Sequence, residues 1–325
     1  MLQFAQESRD PRLTPIVRRL TAPTRVAVRG RDGVGRTSVA AALAGAGMAM
    51  SSDVAADVGV LVIAEAFKPE DRALLDGPER PTVVVLNKAD LTGFGAGGPM
   101  ALAYGRAAQC RERTGLPTVP MVALLADPDL SDVLSGDLVG ALRALLTQPA
   151  DVTSTDAFTS SPHPLSRDLR ERLLGALDRF GIAHAVLALD RGVSADSLPA
   201  YLRRLSQSDR VVEHILAAGA PLRYRRLRTA VRELHALAAQ SDDSRLAALL
   251  MSDDTVLAQM TAAVDVVEAA GANVDRGDDP AAHLRRAVHW RRYGSGPVDA
   301  LHRSCAADIS RGSLRLLGRS RGRRT

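Results

Sequence analysis

The chain has 325 residues, of which 46% are hydrophobic and 24% are charged. This balance is typical of a folded globular protein and excludes a disordered or fibrous chain, and the length predicts about two domains. Because the sequence has no run of about 18 apolar residues and no apolar secretory stretch at its N-terminus, we expect a cytoplasmic protein.

The positive charge lies in the second half of the chain. Residues 1–150 contain 16 basic and 16 acidic side chains, which leaves 26 and 21 for residues 151–325, so the net charge of +5 belongs there. Only two of the 42 basic residues, Lys68 and Lys88, are lysines. Cys110 and Cys305 have neither metal-binding nor disulfide spacing and are predicted to be free thiols.

The first half alternates between predicted strands and helices. Short apolar or alternating runs predict strands at 25–29, 58–64, 82–86 and 118–125. Helical spacing predicts helices at 13–20, 37–50, 69–75, 100–113 and 130–146. This alternation predicts an α/β fold with a doubly wound, mainly parallel sheet over residues 1–148, including the N-terminal helix.

The second half has a different composition. Residues 149–164 are rich in Pro, Ser, Thr and Asp and predict a linker. Apolar residues then recur at helical spacing, which predicts a mainly α-helical domain over 165–318, followed by a basic tail at 319–325. The short apolar run 182–189 is interpreted as helix, although periodicity alone also allows a strand.

A glycine loop (residues 30–36) follows the first predicted strand. Residues 30–37 match the phosphate-loop pattern GxxxxGK[ST] at every fixed position except the lysine, which is Arg36. Glycines let backbone N–H groups converge on phosphates, and a threonine hydroxyl reaches Mg²⁺. The predicted phosphate-binding residues are Gly30, Asp32, Gly33, Val34, Gly35, Arg36, Thr37 and Ser38, with Thr37 also the metal ligand. Alternatively, the segment is a strand-to-helix turn without a ligand.

A second motif follows the strand at 82–86. Together with the glycine loop, Asn87-Lys88-Ala89-Asp90 resembles the NKxD motif of P-loop GTPases of the Era and dynamin-like kind, over residues 25–147. The resemblance implies a P-loop GTPase-like fold in which Asp90 accepts two hydrogen bonds from guanine, Asn87 braces the loop and Lys88 packs on the base. It also implies base contacts from Ala123 and Leu124.

The sequence departs from that family between the two motifs. Only 19 residues separate Ser38 from Val58, and no switch I threonine or DxxG can be found there. Asp53 is either a water-mediated Mg²⁺ ligand or a solvated carboxylate. Asp32 would repel phosphate unless Arg31 or Arg36 pairs with it. No catalytic residue is assigned.

These patterns predict a guanine-nucleotide-binding protein with GTP or GDP and Mg²⁺ as cofactors and with weak or partner-dependent GTP hydrolysis. The helical domain would couple the nucleotide state to a partner or a membrane. The alternative is a pseudo-GTPase, a structural or regulatory subunit of a complete GTPase or another complex.

Basic segments of the second half suggest a further partner. Residues 285–293 contain four arginines and two aromatic residues, and residues 311–325 contain six arginines and no acid. Such segments can make peripheral contact with an anionic membrane at its inner face, with nucleic acid as the weaker alternative. A solvated basic helix face and a disordered tail explain them equally well.

Overall fold

We describe a computed structural model of the chain that covers residues 10–75, 80–93, 95–134, 136–241 and 244–322. The contacts divide the chain into two compact units. The first is Arg25–Ile215, and the second combines the N-terminal helix with the residues from Leu216 onward.

The first unit is built on a five-stranded parallel sheet. Its strands are β1 (Arg25–Gly30), β2 (Ala49–Met50), β3 (Val58–Ala64), β4 (Thr82–Asn87) and β5 (Thr118–Pro120). They lie in the order β2-β1-β3-β4-β5, and every pair is parallel. The order reverses at β1, as in doubly wound sheets. The predicted α/β class with a parallel sheet is therefore confirmed.

The two central strands explain why this sheet forms. Every residue of β4 and all but the last of β3 are buried, as the continuous apolar runs predict for strands covered on both faces. The strand expected at 118–125 is shorter: β5 ends at Pro120, and Ala123–Ala126 form a 3₁₀ turn.

Helices connect and cover the strands of this unit. They are α2 (Arg36–Gly45), α3 (Pro69–Ala73), α4 (Gly98–Thr114), α5 (Leu130–Val133), α6 (Asp137–Thr147), α7 (Thr155–Ser160), α8 (Arg167–Asp190) and α9 (Leu198–Ser206). The run 182–189 is helical, as expected, within α8.

The unit extends beyond the boundary expected near residue 148. The predicted linker contains α7, whose Phe158 is fully buried in one hydrophobic core with Leu61 and Leu86 of the sheet and Leu173 of α8. Helices α7 to α9 therefore belong with the sheet, because their apolar faces complete its core. The contacts divide the chain at Ile215 instead.

The second unit is helical. It contains α1 (Leu13–Thr21), α11 (Ser244–Met251), α12 (Asp253–Ala269), α13 (Pro280–Ser295) and α14 (Ala300–Gly322). The 34-residue helix α10 (Ser208–Ser241) contributes its residues from Leu216 on.

Two predictions at the chain ends are corrected by this unit. Leu13 and Ile16 of α1 pack with Leu234 and Leu246, so the N-terminal helix does not belong to the core of the sheet. Residues 319–322 of the expected tail continue α14, whereas residues 323–325 lie outside the described residues.

Candidate functional site

The sheet order places a cleft at the carboxyl ends of β1 and β3. The chain leaves these neighbouring strands in opposite directions, and ligands of open α/β sheets bind at such a switch point. A cleft of about 270 Å³ opens there. We call it the switch-point cleft; it is lined by Arg31, Asp32, Gly33, Val34, Ala64, Glu65, Lys68, Lys88, Leu91, Thr92 and Arg106.

The glycine loop has the backbone conformation of a tight cradle. Gly33 and Gly35 have φ of 79° and 86°, in the left-handed region that favours glycine. A Cβ on Gly35 would overlap the amide nitrogen of Asn87, and one on Gly30 would lie 2.5 Å from the Val62 carbonyl oxygen. Three predicted phosphate-binding glycines are thus required by local geometry.

Asn87 joins three segments of the predicted site. Its side chain is buried, and its Nδ2 donates to the Val34 carbonyl oxygen of the glycine loop at 2.9 Å. Its Oδ1 accepts the N–H of Ala123 at 3.0 Å. The asparagine therefore connects the glycine loop, the carboxyl end of β4 and the 3₁₀ turn after β5.

Arg36 is engaged within its own loop. Its guanidinium nitrogen Nη2 lies 2.5 Å from Oδ1 of Asp32, four residues earlier in the glycine loop. Arg36 is not among the residues that line the switch-point cleft. Thr37 and Ser38 are exposed in the first turn of α2. The ion pair neutralises the charge of Asp32. It also engages the Arg36 guanidinium, which was expected to bind the phosphates.

A buried carboxylate fixes the opposite wall of the cleft. Asp71 of α3 has no exposed surface; its Oδ1 accepts Nε of Arg31 at 2.8 Å, and its Oδ2 accepts the backbone N–H of Lys68 at 2.9 Å. The hydrogen bond with Asp71 raises the pKa of Arg31. Asp71 therefore holds the segment after β3 against the glycine loop. Sequence reasoning missed it, because a lone acid in a short helix has no motif.

Two backbone outliers border the same cleft. Glu65 and Lys88 have φ of 65° and 56°, and they are two of four non-glycine residues in the described chain with positive φ. Each directly follows β3 or β4. Left-handed conformations of ordinary residues raise the free energy of the fold and concentrate at ligand sites. The strain at Glu65 therefore marks this edge of the sheet independently of the motifs, to which Lys88 already belongs.

Asp90 faces a different cleft, of about 560 Å³. We call it the Asp90 cleft; it is lined by Asp90, Leu91, Pro99, Val152, Thr153, Asp178, Arg179, Phe180 and Ala183. Burial and, to a lesser degree, the nearby Asp178 raise the pKa of Asp90, while a backbone hydrogen bond, Lys88 and Arg179 act in the opposite direction. Apolar walls with a few polar groups, such as Asp90 here, are typical of small-molecule pockets.

Helix α8 is distorted where it reaches this cleft. Asp178 has φ 52° and ψ 175°, a conformation found almost only in glycine, within the span of the helix. Next to it, Nη1 of Arg179 donates to the Thr153 carbonyl oxygen at 2.5 Å. Asp178 and Arg179 lie outside the segment that resembles the GTPase family, so no sequence signal connected them with Asp90.

The predicted guanine-binding residues are not gathered in one cleft. Lys88 lines the switch-point cleft and Asp90 its own cleft, with Leu91 shared between the two. Leu124 lines a third cleft, of about 630 Å³, together with Asp127 and Gly175. The N–H of Ala123 is used by Asn87.

Asp53 is ion-paired. Its carboxylate lies 3.3 Å from Nε of Arg29 and 2.9 Å from Nη2 of Arg80. Asp32 and Asp53, the two carboxylates that the sequence raised as neighbours of phosphate or Mg²⁺, thus have arginine partners. No group of three or more acidic, histidine or cysteine side chains suited to a metal occurs among the described residues. In the described first turn of α2, the Thr37 hydroxyl remains the candidate Mg²⁺ ligand.

The basic segment 285–293 is partly internal. Trp290 is buried, and so is Arg286, which donates to Oγ of Ser313 and the backbone oxygen of Asp275. Burial lowers the pKa of Arg286. In α14, Leu314 is exposed while Leu317 is buried, so the leucines do not share one exposed face. The described helices contain none long and apolar enough to cross a membrane.

Comparison of the chain with protein-family models, with curated proteins and with solved structures finds no match.

Proposed function

We propose that this protein binds a guanine nucleotide at the carboxyl edge of its sheet, with phosphates at the glycine loop and the base near Asp90. The observation that carries the proposal is the double hydrogen bond of Asn87, which connects the glycine loop with the turn at Ala123. The Asn87 side chain thus fixes the distance between the glycine loop and the segment that carries Asp90. A ligand that contacts both segments requires such a fixed distance.

Turnover is expected to be slow or dependent on a partner. Asp32 and Asp53 are both ion-paired with arginines, and no group is assigned to orient an attacking water. Arg36 is paired with Asp32. The proposal is therefore a P-loop GTPase-like binding protein rather than an efficient hydrolase.

The second candidate is a pseudo-GTPase that acts as a subunit of a larger complex. It is favoured by the Arg36–Asp32 pair, which satisfies the loop without a ligand. In this case the sheet would serve as a scaffold, and the partner would be a complete GTPase or another protein.

Titration with fluorescent GDP, GTP and ADP, with Mg²⁺ or with EDTA, tests the proposal. We expect guanine-selective binding that depends little on Mg²⁺. Asp90→Asn should weaken GDP binding about a hundredfold or more, because one hydrogen bond to a charged acceptor is lost and the new amide N–H faces the guanine amine. Xanthosine diphosphate should bind this variant better than GDP does, since its C2 carbonyl can accept from the new amide.

Asp129→Asn is the matched control, because Asp129 is an exposed aspartate that makes no side-chain cap at α5. It should bind GDP as the wild type does. Absence of nucleotide binding by the wild type at tens of micromolar would favour the pseudo-GTPase candidate.

A further inference from the structure

The two lysines of the chain meet in one place. Lys68 follows β3 and Lys88 follows β4, and both line the switch-point cleft, whereas the other 40 basic residues of the sequence are arginines. A lysine ammonium is a compact point charge on a flexible stem. Both lysines are exposed in the shared cleft, where an entering anion can reach them.

These lysines stand apart from the arginines around the cleft. In the described part of the chain neither makes an ion pair, although Arg31 is paired with Asp71 and Arg36 with Asp32. The cleft carries four basic residues, Arg31, Lys68, Lys88 and Arg106, against Asp32 and Glu65. Because Arg31 and Asp32 are both ion-paired, the remaining charged side chains give the cleft a positive electrostatic potential. This potential favours the binding of a polyanion.

We propose that Lys68 supplies the phosphate-binding cation of this site in place of Arg36. The inference rests on the proposed function. It follows from Asp71, which binds Arg31 of the glycine loop through Oδ1 and the Lys68 backbone through Oδ2. This buried carboxylate fixes the base of the lysine stem relative to the glycine loop, whereas Lys88 follows β4 and Arg106 lies in α4.

The Lys68 ammonium donates to the phosphates from the β3 side of the cleft. Lysine serves well here because it binds phosphate as a point charge without the planar fork of arginine. The ligand class is a nucleoside di- or triphosphate, and the bare polyphosphate shares the chemistry that Lys68 recognises.

Calorimetric titration of the full chain with GMP, GDP, GTP and inorganic tripolyphosphate tests this role. Lys68→Met should weaken GTP and tripolyphosphate binding about ten- to a hundredfold and reduce the gain in affinity from GMP to GTP. Lys68→Arg should recover part of the affinity that Lys68→Met loses. Arg36→Met should change GTP affinity less than Lys68→Met does.

Arg72→Met is the matched control. Arg72 is exposed on α3, one turn beyond Lys68, and does not line the cleft. If Lys68→Met and Arg72→Met bind GTP equally well, the role of Lys68 is overturned while nucleotide binding stands. If wild type binds tripolyphosphate through Lys68 but no nucleotide, the cation site is supported and the proposed function fails.

Discussion

Asp90 is a carboxylic acid that the fold holds in an unfavourable environment. Burial and Asp178 raise its pKa, so the folded chain binds the Asp90 proton more tightly than the unfolded chain does. This contribution to stability is present at acid pH, below the ordinary pKa of 3.8, and is lost as the pH rises through the raised value. A side chain that destabilises the folded state at neutral pH is typical of a ligand site.

We therefore expect Asp90→Asn to unfold at a higher temperature than the wild type at neutral pH, without nucleotide. The amide carries no charge to desolvate, so the melting temperature of the variant should also change less between acid and neutral pH. Thermal unfolding over this pH range measures both effects. Asp129→Asn should follow the wild type, and an Asp90→Asn protein with lowered stability would contradict the interpretation.

Individual residues were predictable to different degrees. The glycines and Asn87 belong to motifs whose spacing encodes a backbone shape, and the structure places them in that shape. Arg36 and Asp32 were recognisable as a potential pair, but the sequence left Arg31 as an equal partner. Asp71 and Asp178 act through tertiary contacts, which no local pattern records.

At the scale of elements, helix α8 carries the clearest strain. Asp178 adopts φ 52° and ψ 175° beside Asp90. Such a conformation raises the free energy of the folded state by about 1–3 kcal/mol in a non-glycine residue. The hydrogen bond from the Arg179 N–H to Oδ1 of Asp178, at 2.5 Å, offsets part of it.

Asp178→Gly should increase the free energy of unfolding by about 1 kcal/mol, because glycine adopts this conformation without steric overlap. Urea denaturation measures the change. Asp168→Gly, in the first turn of the same helix, is the control. It should lower stability, because glycine at an ordinary helical position only increases the conformational entropy of the unfolded chain. A loss of stability in both variants would indicate that the Asp178 side chain outweighs the backbone strain.

Secondary-structure elements could be predicted where a short apolar run by itself indicates a buried strand. The apolar runs of β3 and β4 require a covered sheet, and both strands were expected within one residue of their observed ends. The two-residue strand β2 leaves no such pattern, because pairing with β1 alone defines it. The run at 118–125 ends early as a strand, because Val122 and Leu125 turn into the core from a 3₁₀ segment.

At the scale of the whole molecule, the sheet and helices α7 to α9 share one hydrophobic core. Phe158, Leu177 and Leu202 are fully buried in the cluster that contains Leu61 of β3 and Leu142 of α6. An amphipathic helix shows in its sequence that it has an apolar face, but not which surface covers that face. The composition change at 149–164 therefore could not locate the division between the units.

A fragment of residues 25–215 should unfold cooperatively, whereas a fragment of residues 25–148 should aggregate or remain partly unfolded. The shorter fragment exposes the apolar surface that α7 to α9 cover in the common core. Circular dichroism with thermal unfolding and size-exclusion chromatography distinguish the two. Cooperative unfolding of the shorter fragment would show that the sheet is independent of these helices.

The placement of both lysines at one cleft has a practical consequence for spectroscopy. Apart from the α-amino group, the chain has two primary amines, and both line the switch-point cleft. Reductive methylation with ¹³C-formaldehyde would thus produce two lysine dimethylamine signals in an NMR spectrum. Each signal would report from the cleft. The two lysines are therefore selective labelling sites at which the binding of an anion can be observed.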